Sequence, residues 1–171
     1  MKKGGVGGRL TKTGLRFKEI VDVSRAFNEL ESLNIVGNKI LKKGDAIAEV
    51  HSKHNLYKFL GDKGISYEKI LSKKLLPDIA VLVYSSKTFF IFEVKYQEVQ
   101  GSTDEKLQTC HFKISQYRKL LQETLGYKVK YVYVLNDWFK DKRYNDVLDY
   151  IKSVEDCDYL FNKVPRKYLG I

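Results

Sequence analysis

Two apolar runs separated by a short polar turn constrain this chain more than any other feature. Residues 78–84 read DIAVLVY and residues 88–96 read TFFIFEVKY, with Ser85, Ser86 and Lys87 between them. Both runs are rich in β-branched and aromatic residues, so the pair predicts an antiparallel hairpin. Strands that are apolar on both faces belong in the middle of a sheet covered on both sides. Three charges break the pattern: Asp78 opens the first run, and Glu93 and Lys95 stand near the end of the second. A hairpin with its midpoint near Ser86 places Asp78 across from position 94, beside Glu93 and Lys95, and residues two apart point the same way. Charged side chains enter a central sheet when they are paired or hold a metal.

The flanking sequence supplies elements to cover such a sheet. Thr13 is a fitting N-cap for a helix to about Leu33, with Leu15, Ile20, Val23, Phe27 and Leu30 as its apolar stripe and Gly37 and Asn38 ending the element. Ile35, Val36 and residues 46–50 form short strands around a turn at Lys42, Lys43, Gly44 and Asp45. Residues 52–73 read as one or two short helices broken at Gly61 and Gly64. Residues 104–125 read as a helix with Leu107, Ile114, Tyr117, Leu120 and Leu121 inward and Gly126 as C-cap. Lys128–Leu135 is a third strand, residues 139–153 a further helix, and Tyr159, Leu160 and Phe161 an edge strand. This order predicts an α/β (α+β) fold: a central mixed β-sheet flanked by helices. Neither an internal repeat nor a linker divides the 171 residues, so we expect one domain over residues 1–171. Its first 13 residues, with Lys2, Lys3, Arg9 and Lys12 among four glycines, read as a flexible basic arm.

The charge narrows the partner. Lysine and arginine number 31 against 21 acids, a net charge of +10, which points to a polyanion and to nucleic acid first. The two cysteines, Cys110 and Cys157, make no disulfide framework and no CxxC pair. With no apolar leader and no run near the ~18 apolar residues a bilayer requires, the expectation is a soluble, cytoplasmic protein. His51, His54 and His111 lack zinc spacing with the cysteines and read as surface or DNA-contacting groups. The GGVGG stretch lacks the features of a phosphate loop.

Asp78 and Glu93 at one spot repel unless a cation neutralises them, and oxygen ligands suit a hard ion such as Mg²⁺ or Mn²⁺. Such an ion polarises a phosphate and lowers the pKa of bound water. Lys95 is then placed to orient or deprotonate the nucleophile, or to stabilise charge in the transition state. The plain alternative is a structural ion pair of Lys95 with Asp78 or Glu93.

Pro77-Asp78, followed after fifteen residues by Glu93-Val94-Lys95, resembles the PD-(D/E)XK nuclease superfamily over roughly residues 14–135. The resemblance implies a restriction-endonuclease-like core. It implies Asp78, Glu93 and the carbonyl of Val94 as Mg²⁺ ligands, with Mn²⁺ able to substitute. It also implies Lys95 as the catalytic lysine and Gln97 as a further polar member of the same face. The superfamily often carries a helix glutamate after a Gly-x-x-Phe pattern; here Gly14-Leu15-Arg16-Phe17 is followed by Lys18 and then Glu19, one residue displaced. Residues 98–119 and the glycine-rich start are most similar to type II restriction endonucleases. That implies a Mg²⁺-dependent homodimer cutting double-stranded DNA at a specific sequence, with a companion DNA methyltransferase as a possible partner. A Holliday-junction resolvase or repair nuclease of the same fold is one alternative, and a non-catalytic DNA-binding domain is another. Phosphate contacts are expected from Lys2, Lys3, Arg9 and Lys12 in the arm. Others are expected from Ser102 and Thr103, which also fit as helix caps, and from Lys106 and Lys113 on a helix shared with Arg118 and Lys119. Base-reading groups are expected in residues 35–76 and the arm.

Overall fold

The computed structural model describes residues 33–99, 101 and 103–171. The basic arm with Lys2, Lys3, Arg9 and Lys12, the helix expected from Thr13 with Glu19, and Ser102 lie outside the described residues.

Seven strands form one sheet in which spatial order follows chain order: β1 Leu33–Val36, β2 Lys39–Lys42, β3 Asp45–His51, β4 Ile79–Val83, β5 Thr88–Lys95, β6 Lys128–Leu135 and β7 Cys157–Phe161. The first five pair antiparallel, and β5, β6 and β7 run parallel. The molecule is therefore an α/β fold with a mixed sheet flanked by helices. Gly37 and Asn38 end no helix; they turn β1 into β2, and Gly37 takes the positive φ of 63° that such a tight turn demands. The strand β2 has only four residues, which is why it escaped the sequence reading.

The central hairpin forms with Ile79 opposite Phe92 and Val83 opposite Thr88. Continued by one step, this register sets Asp78 opposite Glu93 rather than position 94. The shift has a local cause. The Lys87 N–H donates to the Tyr84 carbonyl at 3.2 Å and closes a four-residue turn over Tyr84–Lys87, so its centre falls between Ser85 and Ser86.

Alternation along the central strands explains their continuous apolar character. Phe89 and Ile91 face one core, together with Ala80 and Leu82, while Phe90, Phe92 and Val94 face a second core. The first core is closed by helix α1 Asn55–Asp62 and by the segment after β5. The second is closed by the C-terminal Val164, Leu169 and their neighbours.

The helix expected over residues 104–125 is broken. It comprises α2 Thr103–Leu107, α3 Cys110–Tyr117, a π-turn Arg118–Gln122 and a last turn α4 Glu123–Leu125. The Thr109 hydroxyl donates to the Lys106 carbonyl (2.7 Å), a local bond that competes with helix continuation. Gly126 ends the run at φ 70°, as a helix C-cap requires. Residues 139–153 likewise divide into two short 3₁₀ turns and α5 Asn145–Ser153. The edge strand at residues 159–161 forms, extended back to Cys157. A short α6 Arg166–Leu169 follows. Among the described residues, no helix is long and apolar enough to cross a membrane.

Candidate active site

One end of the sheet gathers the charged residues that interrupt the central hairpin. β3 ends there at His51, β4 begins there, and the parallel strands β5 and β6 finish there at Lys95 and Leu135. The β1–β2 turn meets the same end, where the Val50 N–H donates to the Asn38 carbonyl at 2.7 Å.

Pro77 is buried at the entry to β4, and its carbonyl accepts the Lys53 N–H at 3.1 Å. Proline has no N–H to lose, so it seats the chain just ahead of the strand without an orphan donor. The next residue, Asp78, is half-buried and accepts the Val94 N–H on Oδ2 at 2.9 Å. That bond ties the start of β4 to the middle of the Glu93-Val94-Lys95 triplet.

Glu93 and Lys95 project to the α3 side of the sheet. Lys95 Nζ donates to Glu93 Oε1 at 2.5 Å, and Lys113 Nζ, from α3, lies 3.5 Å from the same oxygen. All three side chains are largely sheltered, between 16% and 22% exposed. The Lys113 ammonium also sits over the rings of Tyr131 and Tyr133, 5.7 and 5.9 Å from their centroids. Burial pulls the Lys113 amine below its ordinary pKa; Glu93 opposes this and Lys95 adds to it. Asp78 acts on Lys113 as well, so the four charges form one electrostatic unit. Burial first, and then the Glu93 charge, push the Tyr117 and Tyr131 phenols upward, and both stay protonated.

Gln97 is buried at the same end, where its main chain is clamped to Asn136. The Gln97 N–H donates to Asn136 Oδ1 at 3.2 Å, and Asn136 Nδ2 donates to the Gln97 carbonyl at 2.8 Å. This pair fixes the chain just after β5 to the chain just after β6.

The structure thus brings Asp78, Glu93, Val94, Lys95 and Lys113 together, with Gln97 adjoining. The bases of the following helices share no common face. Lys106 and Lys119 are exposed, Lys113 turns inward, and Arg118 binds Glu155 and Asp156 at 3.2 and 2.8 Å. Thr103 begins α2. His54 and His111 are exposed as expected, but His51 is not a surface group. It is 3% exposed, its ring tilted against Phe59 with centroids 4.8 Å apart, and its Nε2 is 3.6 Å from Glu49 Oε2. Its place as the last residue of β3, beneath α1, buries it.

The sequence reading missed the inward turn of Lys113, the Asn136 clamp, and a cleft of 470 Å³ beside Asp78. A strand-then-helix pattern after Glu93-Val94-Lys95 could have signalled Lys113. Nothing local marks Asn136.

Oxygen groups of the kind a hard divalent cation takes stand at this end: the carboxylates of Asp78 and Glu93, one step beyond the Ile79–Phe92 pair on adjacent strands, and the Val94 carbonyl between Glu93 and Lys95. The two lysines that converge on Glu93 Oε1 supply the positive charge that a buried carboxylate requires. No family model matches the chain, and no curated protein or solved structure matches it.

Proposed function

We propose that the protein is a Mg²⁺-dependent type II restriction endonuclease, hydrolysing phosphodiester bonds of double-stranded DNA at a specific sequence in the cytoplasm. One observation carries this reading. Asp78, held by the Val94 N–H, adjoins Glu93, which is paired with Lys95, at one end of an otherwise apolar pair of central strands. A sheet interior tolerates such a concentration of charge at a cost, and chemistry explains why it is there. The net charge of +10 supports a polyanionic substrate.

Asp78, Glu93 and the Val94 carbonyl would hold the metal, and Mn²⁺ could take the same oxygens. When bound, the ion supplies Lewis-acid polarisation of the phosphate and a water of lowered pKa. Lys95 holds Glu93 in place and presents an ammonium where charge develops on the phosphate. The Asp78–Val94 hydrogen bond fixes one carboxylate before substrate arrives, so little reorganisation remains for the reaction itself. Cutting both strands calls for two such sites, and we propose a homodimer on the duplex.

The test is incubation of the purified protein with unmethylated phage DNA, in Mg²⁺ and in EDTA. Discrete fragments in Mg²⁺ alone are expected. Asp78→Ala and Glu93→Ala should each lower cutting by about three orders of magnitude, the scale of several kcal/mol of lost charge stabilisation, while leaving DNA binding. Cutting by Asp78→Ala and Lys95→Ala at the native rate would refute the site. Salt-sensitive DNA binding without any hydrolysis would leave the charges as a structural network.

A further inference from the structure

The cleft beside the candidate active site has a lining the proposed reaction does not use. Asn38 comes from the β1–β2 turn, and Ser52, Lys53 and Asn55 from the segment between β3 and α1; Asp78 and Val94 border the same space. Its volume of 470 Å³ falls within the ~300–1,000 Å³ usual for sites that enclose a small organic group. The frame is held by main-chain bonds: Val50 N–H to the Asn38 carbonyl (2.7 Å), Lys53 N–H to the Pro77 carbonyl (3.1 Å) and Asn55 N–H to the Ser52 carbonyl (2.9 Å). The side chains of Asn38, Ser52, Lys53 and Asn55 are exposed, and none of the four makes a hydrogen bond or ion pair to another described residue. Lys53 is also held at φ 46°, a left-handed conformation that lysine rarely adopts.

Backbone-anchored residues with side chains left over for an external partner are built for recognition. Carboxamides pair bidentately with adenine N6 and N7, whereas a phosphate-binding surface is made of lysine and arginine. Two asparagines and a serine against one lysine make the first kind of site. The cleft borders Asp78 and Val94 of the proposed catalytic group from the second-core face, opposite the Glu93 and Lys95 side chains, so a base within it lies at the same end of the sheet as the phosphate being cut.

We propose that this cleft is the base-reading site, in which Asn38 and Asn55 contact the edge of a base adjoining the scissile phosphate and Lys53 holds the neighbouring backbone. The proposal rests on the nuclease reading for its substrate, and its test separates the two.

The probe is a library of random-sequence DNA duplexes, selected for binding to the full chain carrying Glu93→Ala, which keeps the DNA intact and leaves the cleft lining unchanged. The wild-type cleft should enrich a defined motif. Asn38→Ala and Asn55→Ala, each added to that background, should relax preference at one position, at which adenine is expected. Each should lower discrimination there by about 5- to 100-fold, the range for one bidentate contact, with binding to non-cognate duplex unchanged. Lys53→Ala should weaken all sequences evenly. An unchanged motif in both asparagine variants overturns the proposal. So does uniform weakening of every sequence by them, or the absence of any motif. Asn38→Asp, isosteric and exposed, guards against a folding artefact: it should alter the preferred base while circular dichroism stays native. Cleavage by the unmodified chain is scored separately. A motif without cleavage sinks the nuclease reading and leaves this one standing, and cleavage with a motif indifferent to both asparagines does the reverse.

Discussion

Replacing Lys113 by methionine separates stability from function at the charged end of the sheet. The ammonium lies 3.5 Å from Glu93 Oε1. At an effective dielectric of about 20, that attraction is worth about 5 kcal/mol. Lys95 reaches the same oxygen at 2.5 Å, so the two ammonium groups are at most 6.0 Å apart. Their repulsion at the same dielectric is then about 3 kcal/mol. About 2 kcal/mol of net attraction remains, against a desolvation penalty of several kcal/mol for a sheltered ion. The balance disfavours the charged amine, the same direction as its depressed pKa, in which burial is the leading cause. Lys113→Met keeps the length of the side chain over Tyr131 and Tyr133 and leaves Glu93 paired with Lys95. Discounted for the 22% of the side chain that water still reaches, the variant should be neutral to about 2 kcal/mol more stable. At roughly 2–4 °C per kcal/mol, its melting temperature at pH 7 should rise by up to about 8 °C. The pH dependence has a fixed sign. A lysine whose folded pKa lies below its unfolded value binds fewer protons when folded, so stability rises with pH between the two values. The advantage of Lys113→Met is therefore fully present at neutral pH and gone above the ordinary lysine value. Cutting in Mg²⁺ should fall in the same variant. Paired thermal melts of the two proteins across pH check the sign, and a loss of 5 °C or more at neutral pH would refute the reasoning, making Lys113 a structural brace.

Two further perturbations probe the frame that carries the site. Contact with His51 holds the Glu49 carboxyl below its ordinary pKa against the opposing effect of burial. That stabilisation is present above the unfolded carboxylate value and is lost as pH falls through the folded one, so urea midpoints between pH 6 and pH 3 should drop further in the native protein than in Glu49→Gln. Phe89 is fully buried between His51, Phe59 and Tyr127, and Phe89→Ala should cost about 3–5 kcal/mol, read as a lower urea midpoint with the slope unchanged.

The hairpin and its charges were legible because their signals are local. An uninterrupted apolar run has few alternatives to a central strand, and residues 88–95 show why: odd and even positions serve two different cores. Asp78, Glu93 and Lys95 stood out against that background. The strand Lys128–Leu135 and the Gly126 cap were equally plain. What escaped depends on contacts far apart in sequence. The inward direction of Lys113 is set by Glu93, twenty residues earlier, and a helical wheel does not contain that information. The helix is interrupted between Leu107 and Cys110 and again by the π-turn Arg118–Gln122, and the spacing of Lys106, Lys113, Arg118 and Lys119 does not put them on one face. The Asn136 clamp on Gln97 spans 39 residues and follows from the parallel pairing of β5 with β6.

That pairing also explains why the sheltered charges concentrate at one end. Parallel strands β5, β6 and β7 must all finish on the same side, and the chain leaves each by a connection that begins there. The antiparallel strands deliver complementary termini to the same place: the end of β3, the start of β4 and the β1–β2 turn. An end so supplied gathers side chains from all seven strands without disturbing either core. Position on this end therefore predicts tolerance. Charge introduced on the buried faces, as at Val81 or Val132, both fully buried, must be met by loss of packing and an unpaired ion. Charge at Asp78, Glu93 or Lys95 is met by an opposite partner or a main-chain donor already in place. The opposite sheet end, with its Lys43–Gly44 and Tyr84–Lys87 turns, has no comparable assembly of sheltered charges among the described residues.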